Sequence, residues 1–209
     1  INDRVITLSA APVAPGQRVP FDLKEPVRCD DAFFDTTVIK APIHFPTDWV
    51  LLRDAVRTLM KATLCIRHAG LKERMPQPPE DFMREMNAHC MAMSAQRRRK
   101  DSKKQRKQIL RHMKKLAKRT AAHAQAHLEA LQTRREETEL SIGEARVIEQ
   151  RISQVIEQLP AAISQAHERI IGGRQVSNED KILSLYDAKV EVIVRGKANA
   201  EIEYGNKLT

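Results

Sequence analysis

Three groups of residues in this 209-residue chain have types and spacings that suit chemistry. The first is Asp35, a lone carboxylate in the run Phe33-Phe34-Asp35-Thr36-Thr37-Val38-Ile39-Lys40. That run has the β-branched and aromatic composition of a strand. A charge inside it needs a cation or donor, because a buried unpaired carboxylate is costly to desolvate. A solvated face, or capping by Thr36 and Thr37, would satisfy it as well. The second group is cationic. From Arg97 to Arg119 there are 13 Lys/Arg and one acid, Asp101, so this stretch carries +12 in a chain of net charge +9. The third is a set of histidines, His112, His123, His127 and His167. His123 and His127 lie four apart on one helical face, a spacing compatible with metal ligation. No Glu lies between them in zincin fashion, and the alanines around them suit a helix seam, so a structural role competes with zinc. Cys29, Cys65 and Cys90 are odd in number and lack metal-type spacing, and read as reduced thiols.

The cations Arg97, Arg98, Arg99, Lys100, Lys103, Lys104, Arg106 and Lys107 are dense enough to repel one another in an isolated helix. Phosphates, an acidic protein or water would each relieve that repulsion. No aromatic residue interrupts the run, which argues against base stacking. It reads as a contact to a nucleic-acid backbone, independent of sequence and dependent on salt.

The elements that must position these groups follow from periodicity. Residues 1–28, with Pro12, Pro15, Pro20 and Pro26, read as an extended linker, and residues 29–47 hold the Asp35 strand, stopped by Pro42 and Pro46. Over 48–100 two helices are expected. The first runs from about 48 to 69, with Thr47 as N-cap and Gly70 as terminator, and its apolar face is expected against the sheet edge near Asp35. The second begins near Pro79 and buries Phe82, Met83, Met86, Cys90 and Met93. Over 101–173 a 4-3 spacing from Ile109 to Leu131 resumes at Ala145 and runs to Ile170. The polar turn Thr133–Glu139 and a Ser141/Glu144 capping box separate the two arms. This predicts a coiled-coil-like antiparallel αα-hairpin with arms of about 45 Å, kinked near Pro160 and closed at Gly172-Gly173. Residues 174–209 alternate apolar and polar over Ile182–Tyr186, Val190–Val194 and Ile202–Tyr204. Two or three short antiparallel strands are expected, with Arg195-Gly196-Lys197 as a turn whose cations face solvent or phosphate.

Aromatic residues make up only 4% and charged residues 30%, which favours long amphipathic helices over a thick core. No apolar run approaches ~18 residues and no signal peptide opens the chain, so the sequence reads as soluble and cytoplasmic with no membrane partner. It opens on Ile1 and stops at Lys207-Leu208-Thr209 within a strand pattern, which suggests a fragment or truncated reading frame.

Two segments carry a family resemblance. Asp35-Thr36-Thr37-Val38, followed by Ile43-His44-Phe45-Pro46-Thr47-Asp48 and Leu51-Leu52-Arg53-Asp54-Ala55, resembles the opening of the catalytic core in DDE-type insertion-sequence transposases. Ser184-Leu185-Tyr186-Asp187, Val194-Arg195-Gly196-Lys197 and Glu203-Tyr204-Gly205-Asn206-Lys207 are similar to a later segment of the same enzymes. The resemblance covers about 50 residues and implies an α+β, mostly helical fold. A partial RNase H-like mixed sheet would be interrupted by the long helical hairpin as an insertion. It implies that Asp35 is a catalytic and metal-binding acid, the first of three. In the complete enzyme these acids hold two Mg²⁺ (or Mn²⁺) ions for in-line phosphodiester cleavage and strand transfer. The second Asp and the Glu are expected past Thr209, so this chain alone is expected to be inactive. The partners implied are DNA, as transposon ends and target, and a second copy in a homodimer, in a bacterial, nucleoid-associated setting. Arg195, Lys197 and Lys207 join the basic run as DNA contacts on this reading, and Asp48 and Asp54 read as caps or local salt-bridge partners. A non-enzymatic helical module that binds nucleic acid or an acidic partner through 97–119 explains the charge without the family.

Overall fold

The computed structural model describes residues 38–40, 47–96, 102–187, 190–197 and 200–207. Four helices carry the molecule: α1 (Asp48–His68), α2 (Pro79–Gln96), α3 (Lys103–Arg134) and α4 (Ile142–Ala166). Three short strands accompany them: β1 (Val38–Lys40), β2 (Glu191–Lys197) and β3 (Ala200–Lys207).

Helix α1 is the spine. Leu52, Ala55, Val56, Leu59, Met60, Thr63 and Ile66 have no exposed surface, and Trp49, Leu51 and Ala62 are buried beside them. These positions go round more than one stripe of the helix, so it needs several neighbours, and it packs on α2, α3 and α4. This corrects two expectations. The apolar face of α1 lies chiefly against helices and not against a sheet edge. The α3–α4 pair is also not a free-standing coiled coil, because each arm contacts α1 more extensively than it contacts the other arm. The reason is the breadth of the apolar surface on α1, which a two-helix seam would leave in water.

Local signals act as their residues predict. Helix α1 ends in a Schellman arrangement: the Leu71 N–H donates to Ile66 O at 3.2 Å and that of Gly70 to Arg67 O at 3.2 Å, with Gly70 at φ 107°. Ser141 and Glu144 form a reciprocal capping box, Ser141 N to Glu144 Oε2 at 3.0 Å and Glu144 N to Ser141 Oγ at 3.2 Å. Helix α4 continues through Pro160 as one element, then widens into a π-helical stretch over His167–Gly172, closed by Gly173 in the left-handed region.

The strands form a small sheet in the order β1-β3-β2, and both pairings are antiparallel. The described sheet is therefore not mixed. Val38 faces Lys207 and Lys40 faces Gly205, so the last strand lies beside the first although all four helices intervene in sequence. Lys181–Asp187 is not a strand. It is held by Gln165 of α4, whose Oε1 accepts from Ile182 N at 2.7 Å and whose Nε2 donates to Ile182 O at 3.2 Å. One side-chain amide takes the place of a neighbouring backbone.

Candidate functional site

The cations of the basic run meet the structure at the start of α3. Lys103 and Lys104 are exposed, Arg106 and Lys107 are partly buried, and Arg97, Arg98, Arg99 and Lys100 lie outside the described residues. No acid occupies the first turn of α3. Cations there oppose the positive end of the helix dipole, so this terminus suits an external anion. From Lys104 the residues Lys107, Arg111, Lys115 and Lys118 recur at three- and four-residue steps, a cationic line on one face about 21 Å long. Lys114 departs from it: its Nζ contacts His167 Nδ1 at 2.8 Å. Burial, helped by Lys118 and Arg111, lowers its pKa.

Beside the α3 terminus lies a cavity of about 830 Å³, lined in part by Asp48, Arg106, Arg169, Arg174 and Lys181. Asp48 was expected to act locally and does not. Its side chain is nearly fully buried, and its Oδ1 accepts from Arg169 at 2.8 Å and from Gln165 Nε2 at 3.0 Å. It therefore ties the start of α1 to the end of α4. Thr47 stands at the N-cap position without a side-chain capping bond. Asp54 does act locally, bonded to Arg53 at 2.9 Å. The π-helical stretch brings Arg169 to Asp48 and carries Ile170, which also lines the cavity. Sequence reasoning missed Gln165, Arg169 and Arg174. The available signal was Gln165, an amide set among Ala162, Ile163 and Ala166 on a buried helix face.

Asp35 lies outside the described residues, and the strand that follows it is described from Val38. Arg195 and Lys197 are not a turn. Strand β2 continues through both with a register shift between Val194 and Lys197, and Lys197 pairs with Ala200, so the connection falls at 198–199. A bulge-type irregularity between Val194 and Lys197 lets the strand continue where a turn was expected. Lys207 pairs with Val38 at the end of the central strand.

His123 and His127 serve packing, whereas His112 is exposed and His167 contacts Lys114. His127 is fully buried: its Nδ1–H donates to His123 O at 2.7 Å, and its Nε2 accepts from Arg67 at 3.1 Å. Both ring nitrogens are engaged, and burial pushes its pKa down. The His123 ring lies tilted on Phe82, with centroids 5.5 Å apart. Cys90 is buried and Cys65 exposed, both free, and burial raises the Cys90 thiol. Among the described residues no three His, Cys, Asp or Glu side chains converge. No helix among the described residues is long and apolar enough to cross a membrane. Comparison with protein families, curated proteins and solved structures gave no match.

Proposed function

We propose that the chain is part of a DDE-type insertion-sequence transposase. In this reading Asp35 is the first metal-binding acid, and the basic residues of α3 contact DNA. One observation carries it: β1, which continues from the Asp35 run, lies in antiparallel register with Gly205–Lys207, the end of the second resembling segment. Two stretches that resemble one family's core are thus neighbours in space, although a bundle of four helices separates them in sequence. The cationic line on α3 gives the phosphodiester backbone a counter-surface.

A single carboxylate holds Mg²⁺ weakly, since that ion keeps most of its waters unless several oxygens converge. The chain alone is therefore expected neither to nick nor to join plasmid or terminal-repeat DNA with Mg²⁺ or Mn²⁺. Nicking that disappears in Asp35→Ala would show that it is active unaided. Translating the coding DNA past Thr209 in all three frames tests the family itself. An Asp after a further strand and a Glu on a following helix are expected, and an unrelated continuation would sink the transposase reading. The exposed cations of α3 would then favour the second reading, a helical module that binds nucleic acid without cutting it.

A further inference from the structure

We infer that the cavity beside the α1 and α3 N-termini binds a phosphate-type oxyanion. Arg106, Arg169, Arg174 and Lys181 line it. Asp48 balances Arg169 and Glu168 balances Arg174, whereas Arg106 and Lys181 have no carboxylate partner among the described residues. Asp180 accepts from Ser177 Oγ at the wall, so four cations stand against three nearby acids among the described residues, a net positive balance that suits an oxyanion. Arg106 Nε is buried and makes no hydrogen bond among the described residues. That nitrogen is closed to the cavity, but an arginine that lines the wall without a carboxylate partner among the described residues still offers an oxyanion charge-assisted bonds. Among the described residues Lys181 bonds a neutral group, Asn178 Oδ1, and so keeps donors for a ligand. Ser177 and Asn178 add neutral polar groups to the wall. The first turns of α1 and α3 contribute their positive dipole ends. Asp48, locked by Gln165 and Arg169, holds the floor and keeps Arg169 in place.

The inference stands on the cavity and not on the transposase reading, which strand cleavage and the coding DNA test separately. Inorganic phosphate and pyrophosphate are titrated into the full chain by calorimetry, with chloride holding ionic strength constant. Saturable binding is expected, weakened about tenfold in both Arg106→Gln and Lys181→Gln, roughly one charge-assisted bond each. If Arg106→Gln fails to fold, Lys181→Gln still decides, because among the described residues the Lys181 side chain bonds Asn178 alone. A 5′-phosphorylated oligonucleotide that displaces phosphate identifies nucleic acid as the source. One that binds without displacing it identifies free phosphate or a nucleotide, and either result upholds the site. No saturable binding, or wild-type affinity in the folded variants, would overturn it.

Discussion

Asp48 and Asp54 show how little a residue's type says about its duty. Both stand near the start of α1, six residues apart. Asp54 pairs with its half-buried neighbour Arg53, whereas Asp48 is buried and bonded to residues 117 and 121 positions away. Asp48→Ala removes a buried acceptor shared by the Gln165 amide, which keeps Ile182, and the partly exposed Arg169 guanidinium, so a loss of about 1–2 kcal/mol is expected in urea unfolding. Asp54→Ala should cost under about 1 kcal/mol. The buried His127 gives a pH signature. Its folded pKa is depressed, so the unfolded chain binds more protons below its ordinary value of about 6.5. Stability is therefore full above that pH and declines as pH falls through it. Melting temperatures across pH 7.5 to 5 should show the decline, and a folded His127→Gln should flatten it. The four-residue spacing of His123 and His127 was legible in the sequence. That His127 would bond Arg67 was not, because the partner is 60 residues away.

Helices were legible because caps and periods are local. Gly70, the Ser141/Glu144 box and the apolar repeats of α3 and α4 each act within a few residues, and the helices begin and end close to where these signals stand. Which helix packs on which was not local. An apolar repeat in two successive helices reads as a two-helix seam, and only the number of buried positions on α1 reveals a third partner between them. The alternation over Ile182–Tyr186 misled for a related reason. Leu183 and Leu185 are buried without a strand ladder, because Gln165 satisfies the backbone instead. The cations of α3 act as a set. Replacing Lys104, Lys107 and Lys115 by Gln should weaken duplex binding and lower the slope of log affinity against log salt by about 3, one unit per lost phosphate contact. An unchanged slope in a salt titration would remove α3 from the interface.

At the scale of the whole molecule, long-range ties fix the direction of each helix. The start of α1 meets the end of α4 through Asp48 and Arg169, while Arg67 near its end meets His127 well along α3. Arg134 at the far end of α3 reaches Glu73, just past α1, at 2.7 Å. So α1 runs parallel to α3 and antiparallel to α4, from the base of the arms almost to their tip. Its 21 residues, about 31 Å, act as a measuring rod for both arms. Over evolutionary time the arms could not be trimmed like loose ornament: removing a turn from one would pull Arg134 away from Glu73 and His127 away from Arg67. Drift in length should therefore collect in the bend at 135–141, while changes inside the arms arrive as matched insertions or deletions in all three helices.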